Sequence, residues 1–272
     1  MKHIRIVSPS GVIEPEYILL AVQRLEGWGF IVSVGSHALA VNGRFAGTVD
    51  ERLDDLNEAF ADASVDIILC SRGGYGMQHL VDKIVLPSRP KSEWPLVVGF
   101  SDITVLHALM SLHGVPSLHA SMCKALATLP EDSEALKLLK NALESGKIEV
   151  FSGIEGHKVI GGNLSLLHAL QGTPYSLNAI IDGCEKPPML LLEDIGERHY
   201  HIDRMLQNLR MSGVLSRVAG VIVGQFTDCE DDALMGCTVY ETIAKVLAEY
   251  NYPIVWNAPY GHIDENIPIF LS

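Results

Sequence analysis

A chain of 272 residues, 48% hydrophobic and 19% charged, can bury one large core or two modest ones, which excludes a disordered polypeptide. A formal net charge of −13 leaves no basic surface broad enough to follow a phosphate backbone or an anionic membrane, so neither is an expected partner. The N-terminus, Met-Lys-His-Ile-Arg-Ile-Val-Ser-Pro-Ser, lacks the apolar stretch of a secretory leader, and no later run approaches the ~18–20 apolar residues of a membrane span, so a cytoplasmic protein is expected.

The first 120 residues alternate short β-rich runs with helical ones: a strand at Ile4–Val7, a helix at Glu16–Gly27, a strand at Phe30–Val34, a helix at Asp50–Ala61, strands at Asp66–Cys70 and Leu96–Phe100, and a helix at Asp102–Leu112. That order predicts a parallel sheet wrapped by helices. Val65–Cys70 and Pro95–Phe100 are apolar with little polar alternation, as strands buried on both faces are, and ligands usually sit at the C-terminal ends of such strands. Between about Asn141 and Gly162 the text turns glycine-rich and polar, which predicts a linker at 146–160 between an N-terminal domain (1–145) and a C-terminal one (161–272). A helix starting in Gly162–Leu170 follows, then a strand at Pro188–Leu192, a helix at Ile202–Met211, a strand at Val218–Val223, a helix at Val239–Tyr250 and a strand at Pro253–Trp256. The expected class is α/β in two units.

The five cysteines are odd in number, scattered and never spaced Cys-x-x-Cys, which argues against a disulfide framework and a structural zinc site. His199 and His201, in Glu-Arg-His-Tyr-His, are spaced like a pair of metal ligands, yet no third ligand follows at a recognisable spacing, so no metal is expected.

Three segments can carry chemistry. In Val-Val-Gly-Phe-Ser-Asp-Ile-Thr (97–104) an apolar strand runs directly into Ser101 and a helix. Such a turn exposes a hydroxyl at the sheet's edge and aims the next amide, that of Asp102, at a developing oxyanion; the alternative is that Ser101 or Asp102 only caps the helix. Cys-Ser-Arg-Gly-Gly-Tyr-Gly (70–76) follows another buried strand and offers backbone amides to an anion, or is a plain tight turn. It is no nucleotide fingerprint, because Gly-x-Gly-x-x-Gly requires glycine where His79 stands. A serine nucleophile needs a base and a group that holds the base. Among eleven histidines His262 is the best placed, following the last predicted strand amid turn residues. Glu193 ends the apolar run Met-Leu-Leu-Leu (189–192), where an unpaired charge is costly; it is either a paired functional carboxylate or a helix-capping or salt-bridging acid near Arg198 or Arg204.

Together these segments resemble the LD-carboxypeptidase family of serine peptidases, which cut between an L-centre and a following D-residue. The resemblance runs from Ile-Val-Ser-Pro-Ser (6–10) onward, through Ser-Arg-Gly-Gly-Tyr-Gly (71–76), Gly-Phe-Ser-Asp (99–102), Ile-Gly-Gly-Asn-Leu-Ser (160–165), Leu-Glu-Asp-Ile-Gly-Glu (192–197), Ile-Asp-Arg-Met-Leu (202–206) and Tyr-Gly-His (260–262). It implies a Rossmann-like N-terminal domain, a smaller C-terminal α/β domain, and a homodimer without metal or cofactor. Ser101 is then the nucleophile, His262 the base and Glu193 its orienting acid, acting on the terminal D-alanine of a murein tetrapeptide. The oxyanion falls to the backbone amides of Asp102 and of Gly73 or Gly74. Arg72 is the expected partner of the substrate carboxylate, by fork geometry. Asn163 either bonds substrate or caps a helix. The family also implies strands beyond Phe270-Leu271-Ser272, where this chain stops. Alternatives are a peptidase of the microcin C immunity type and a non-catalytic protein that holds an anion on the glycine loop.

Overall fold

The computed structural model describes residues 1–147 and 156–272. Its strands are β1 (His3–Val7), β2 (Ile31–Val34), β3 (Ile67–Cys70), β4 (Leu96–Gly99), β5 (Ser117–His119), β6 (Val159–Asn163), β7 (Met189–Ile195), β8 (Gly220–Thr227), β9 (Ile254–Val255) and β10 (Ile269–Leu271). Its α-helices are α1 (Pro15–Gly27), α2 (Val49–Ala61), α3 (Thr104–Leu112), α4 (Cys123–Thr128), α5 (Glu134–Ser145), α6 (Leu164–Ala169), α7 (Leu177–Asp182), α8 (His199–Met211) and α9 (Val239–Leu247).

The strands form two sheets, β10-β5-β4-β3-β1-β2 and β6-β7-β8-β9. All neighbours pair parallel except β10, which runs antiparallel to β5. The order β2-β1-β3-β4-β5 is that of the flavodoxin-type doubly wound sheet. In β3, Ile67 and Leu69 face one apolar core while Ile68 and Cys70 face the other, as the twofold period of a strand requires. Helices α1, α4 and α5 cover the first face, and α2 and α3 the second. The core on the α3 face continues without interruption into Ile160, Leu190, Leu192 and Val221, so the two sheets share one apolar interior.

The elements expected in the first 112 residues are present within a residue or two, the last helix opening as a 3₁₀ turn over Ser101–Ile103. Differences lie further on. Gly162 and Asn163, read as the start of a helix, close β6, whose glycines let it approach β7: a Cβ on Gly161 would lie 2.2 Å from the Leu191 carbonyl oxygen. The predicted linker at 146–160 falls mostly outside the described residues, and β6 begins inside it at Val159. The segment 161–272 also gives β10 to the first sheet, and the Ser272 N–H donates to the Val159 carbonyl at 2.9 Å.

His107, on α3, is 1% exposed and joins two strands: Nε2–H donates to the Gly99 carbonyl at 2.9 Å and Nδ1 accepts from the Ser117 hydroxyl at 2.8 Å. Burial, with the nearby His119 adding to it, pushes its pKa down to about 3. The unfolded chain therefore takes up a proton near pH 6.5 that the folded chain refuses, and stability is lost as pH falls from there toward 3. Urea titrations at stepped pH should show a slope of up to about 1.4 kcal/mol per pH unit from this residue, and a shallower slope in His107→Gln.

Candidate active site

Ser101 follows β4 with φ of 65°, a left-handed conformation that costs a non-glycine residue roughly 1–3 kcal/mol and is held by what surrounds it. The glycine loop is the surrounding part. A Cβ on Gly73 would stand 2.8 Å from Ser101 Cβ and 2.9 Å from Oγ, so only glycine lets the loop lie against this serine. The Ser101 hydroxyl caps no helix; the first turn of α3 has no side-chain cap.

Two buried side chains tie the glycine loop down, one to the serine turn and one to the loop after β1. Asp102, 1% exposed, accepts the Met77 N–H at 2.9 Å. Burial raises its carboxyl above the usual aspartate value, partly offset by that N–H and by Arg52. Arg52, from α2 and 2% exposed, donates to the carbonyls of Pro9 at 2.7 Å and Gly76 at 3.1 Å, pinning the loop after β1 to the glycine loop. Sequence reasoning missed Arg52; its signal is a basic residue in an otherwise acidic helix. Gly73 also gives its carbonyl to the Gly11 N–H at 3.1 Å, and among the described residues neither the Gly73 nor the Gly74 N–H donates to a backbone acceptor.

On the second sheet Glu193 is fully buried near the C-terminal end of β7, and its Oε2 accepts the Nδ1–H of His262 at 3.0 Å. Of the two alternatives open for Glu193, it is the paired carboxylate that forms: its ionic contacts are with His262 and, at 4.0 Å, His119, and not with Arg198 or Arg204. Burial pushes the Glu193 carboxyl up, but interactions with His119 and His262 outweigh it and hold the group below the usual glutamate value. Gly261, at φ of 125°, brings His262 in this close; a Cβ there would lie 3.0 Å from Glu193 Oε2. Thr227 Oγ1–H donates to the His262 carbonyl at 3.1 Å, and Glu265 anchors the same loop to the N-terminus of α5 through the Ala135 N–H at 2.8 Å. With Nδ1–H committed to Glu193, the neutral imidazole keeps Nε2 as its basic nitrogen.

Ser101 and His262 line one cleft of about 640 Å³, together with Arg72, Gly73, Gly74 and Lys124. The Phe100 ring packs 4.9 Å from the His262 ring, centroid to centroid. No hydrogen bond joins Ser101 to His262 among the described residues; such bonds are often long in free enzymes and tighten around substrate. Arg72 donates one N–H to the Val12 carbonyl at 2.6 Å at the edge of the cleft. Asn163 is not in the cleft. It is 2% exposed, accepts the Leu166 N–H at 3.2 Å as the cap of α6, and donates to Asp194 at 2.8 Å, so substrate contact is withdrawn for it. Burial pushes the Asp194 carboxyl up to about 7, with Glu193 adding to the rise and the Ile195 N–H and Asn163 opposing it. His199 is engaged by Thr242 at 2.7 Å and His201 by Glu197 at 3.0 Å. Among the described residues no three His, Cys, Asp or Glu side chains converge as metal ligands.

A hydroxyl on a strained turn, a glycine loop beside it and, lining the same cleft, an imidazole backed by a buried carboxylate form an arrangement suited to acyl transfer on an α/β fold. The profile of the LD-carboxypeptidase N-terminal domain matches residues 4–120 and that of the C-terminal domain residues 155–272. A probable murein peptide carboxypeptidase of Bacillus subtilis strain 168 is 33% identical over 82% of this chain and 72% of its own length. The chain therefore belongs to the LD-carboxypeptidase family and is a peptidase of the carboxypeptidase kind. In fold it is similar to the crystal structure of muramoyltetrapeptide carboxypeptidase from Oxalobacter formigenes, with a TM-score of 0.84 and 23% identity over 100% of this chain and 93% of that one. It is also similar to the microcin C7 self-immunity protein MccF, with a TM-score of 0.81 and 17% identity over 100% of this chain and 91% of that one.

Gly73→Ala should leave the protein folded, because the atoms nearest the added methyl all belong to Phe100 and Ser101 in the serine turn, and should slow labelling of Ser101 by a fluorophosphonate by on the order of tenfold or more as the turn is pushed aside. Intact-mass measurement of the labelled fraction over time reads this directly.

Proposed function

We propose that this chain is a serine carboxypeptidase that removes the terminal D-alanine from murein tetrapeptides, with Ser101 as nucleophile, His262 as general base and Glu193 as the acid that orients it. The observation that carries the reading is the 3.0 Å bond between the buried Glu193 and His262, in a cleft that Ser101 also lines. The family membership and the Bacillus subtilis relative's name support the substrate.

In the proposed reaction His262 Nε2 takes the proton of Ser101 Oγ as that oxygen attacks the carbonyl carbon preceding D-alanine. The backbone amides of Asp102 and of Gly73 or Gly74 hold the oxyanion; one such donor is worth on the order of 3 kcal/mol. The C–N bond then breaks, His262 gives its proton to the leaving amine, and D-alanine departs. Water, deprotonated by His262, attacks the resulting ester and restores the serine. Glu193 holds the imidazole in the Nδ1–H form and stabilises the imidazolium. Arg72 at the cleft edge, with Lys124 also lining it, supplies positive charge for the free carboxylate of the substrate.

The reading uses no metal or cofactor and places residues 1–145 as the part that brings the nucleophile and 161–272 as the part that brings the acid and base. It further takes the protein to be a cytoplasmic homodimer, on the strength of the family resemblance. Among the described residues no helix is long and apolar enough to cross a membrane.

Incubation of the protein and Ser101→Ala with a muramoyl tetrapeptide and a matched all-L peptide, in the presence of a chelator, tests the assignment by mass spectrometry of free alanine. Release from the tetrapeptide alone, abolished by the substitution and indifferent to chelator, is the expected result. A folded, phosphonate-reactive protein that leaves the tetrapeptide intact overturns the substrate and moves attention to substrates of the microcin-immunity type.

A further inference from the structure

The two oxygens of Glu193 are treated unequally. Oε2 holds His262, whereas Oε1 is buried and has no hydrogen-bond partner among the described residues. Facing it at 4.0 Å is Nε2 of His119, at the C-terminal end of β5. His119 is itself 0% exposed, and neither of its ring nitrogens has a hydrogen-bond partner among the described residues. Buried polar groups are normally paired, because leaving one unpaired forfeits its hydration. Here an orphan acceptor and an orphan imidazole nitrogen able to carry a proton are set face to face about 1 Å beyond bonding distance, a gap that a small shift of the His119 ring toward the carboxylate closes.

Of the other groups around His119, none is hydrogen-bonded to its imidazole among the described residues. The Phe100 ring lies 5.7 Å away and is apolar. His107, from α3, has both nitrogens committed, to the Gly99 carbonyl and the Ser117 hydroxyl. Tyr260 meets the imidazole edge-on at 6.5 Å between centroids. Asp194, next to Glu193 on β7, directs its carboxylate to Asn163 and Ser165 at the start of α6 and to the N–H of Ile195, which follows it on the same strand.

We propose that His119 is a positioning residue for the hydrolytic site, closing Nε2–H onto Glu193 Oε1 as His262 takes up a proton, so that the carboxylate stays ionised and in plane while charge develops on the imidazole. This rests on the assignment of Glu193 and His262 given above. The closure adds a hydrogen bond at Oε1 while Oε2 keeps His262, and it gives Glu193 a grip on both oxygens at the moment when its orientation decides the rate.

His119→Leu removes the donor and His119→Gln keeps one. Both are compared with the unchanged protein for unfolding temperature, for kcat and KM on muramoyl tetrapeptide, and for the rate and pH dependence of Ser101 labelling by a fluorophosphonate, which needs no assigned substrate. In His119→Leu the expected result is a loss of about tenfold or more in kcat and in labelling rate, the equivalent of one hydrogen bond to a charged group, with KM unchanged. The acid limb of the labelling profile moves to higher pH, because the carboxylate–imidazole pair holds its proton more tightly once the second donor is gone. His119→Gln recovers most of the rate and the profile. A folded His119→Leu protein that labels at the original rate and pH dependence overturns the proposal, as does a His119→Gln protein as slow as the leucine variant, which is what a purely packing role predicts. If the unchanged protein labels normally but does not cleave the tetrapeptide, the substrate assignment fails and the labelling comparison still decides the role of His119.

Discussion

A carboxylate with no exposure to water, Glu193, sets the terms for the rest of the site. Burying an ion without partners costs several kcal/mol, so the backbone around it is arranged to deliver one. Gly261 brings His262 within 3.0 Å, and Gly224 makes room beside it, since a Cβ there would lie 3.1 Å from Glu193 Cβ and 2.6 Å from the Tyr260 carbonyl oxygen. The next residue, Asp194, is another buried acid, and two adjacent anions on one face would repel. The strand period sends them to opposite sides, one to the histidine and the other to the start of α6, and an irregularity in the β7–β8 register falls between Leu192 and Asp194.

The groups that line the cleft and its acid partner are divided between the two sheets, the serine turn and glycine loop on the first and the acid–imidazole pair on the second. Accuracy then depends on how firmly the halves are joined. The shared apolar interior supplies the bulk of that rigidity, and polar ties refine it: the Asn163 N–H donates to Thr104 Oγ1 at 3.0 Å between β6 and α3, and Glu265 clamps the histidine loop to α5.

Most of the fold was legible because buried parallel strands write themselves as apolar runs followed by turns, as at 65–70, 95–100 and 189–192. What escaped was short or borrowed. β5 has three residues, two of them Ser117 and His119, and β10 has three; neither is long enough to show a period. Gly162 read as the start of a helix, yet it belongs to β6, whose Gly161 serves close approach to β7. At the site, Ser101, Glu193 and His262 each end or follow an apolar run and could be singled out. His119 lies in a strand with no such signal, and its nearness to Glu193 is a product of the fold alone. For Asn163 two readings were open, and the hydrogen bonds to Leu166 and Asp194 realise the cap.

The pairing of β10 with β5 also governs the order of events on the ribosome. Residues 3 to 119 hold all five parallel strands of the first sheet, but β5 has one side of its backbone without its strand partner until residues 269–271 are made. An open strand edge is a template for other chains. The nascent protein is thus most exposed to mispairing during the interval in which its second sheet is being synthesised, and the contact that removes the hazard is one of the longest-range pairings in the molecule, the kind that forms slowly.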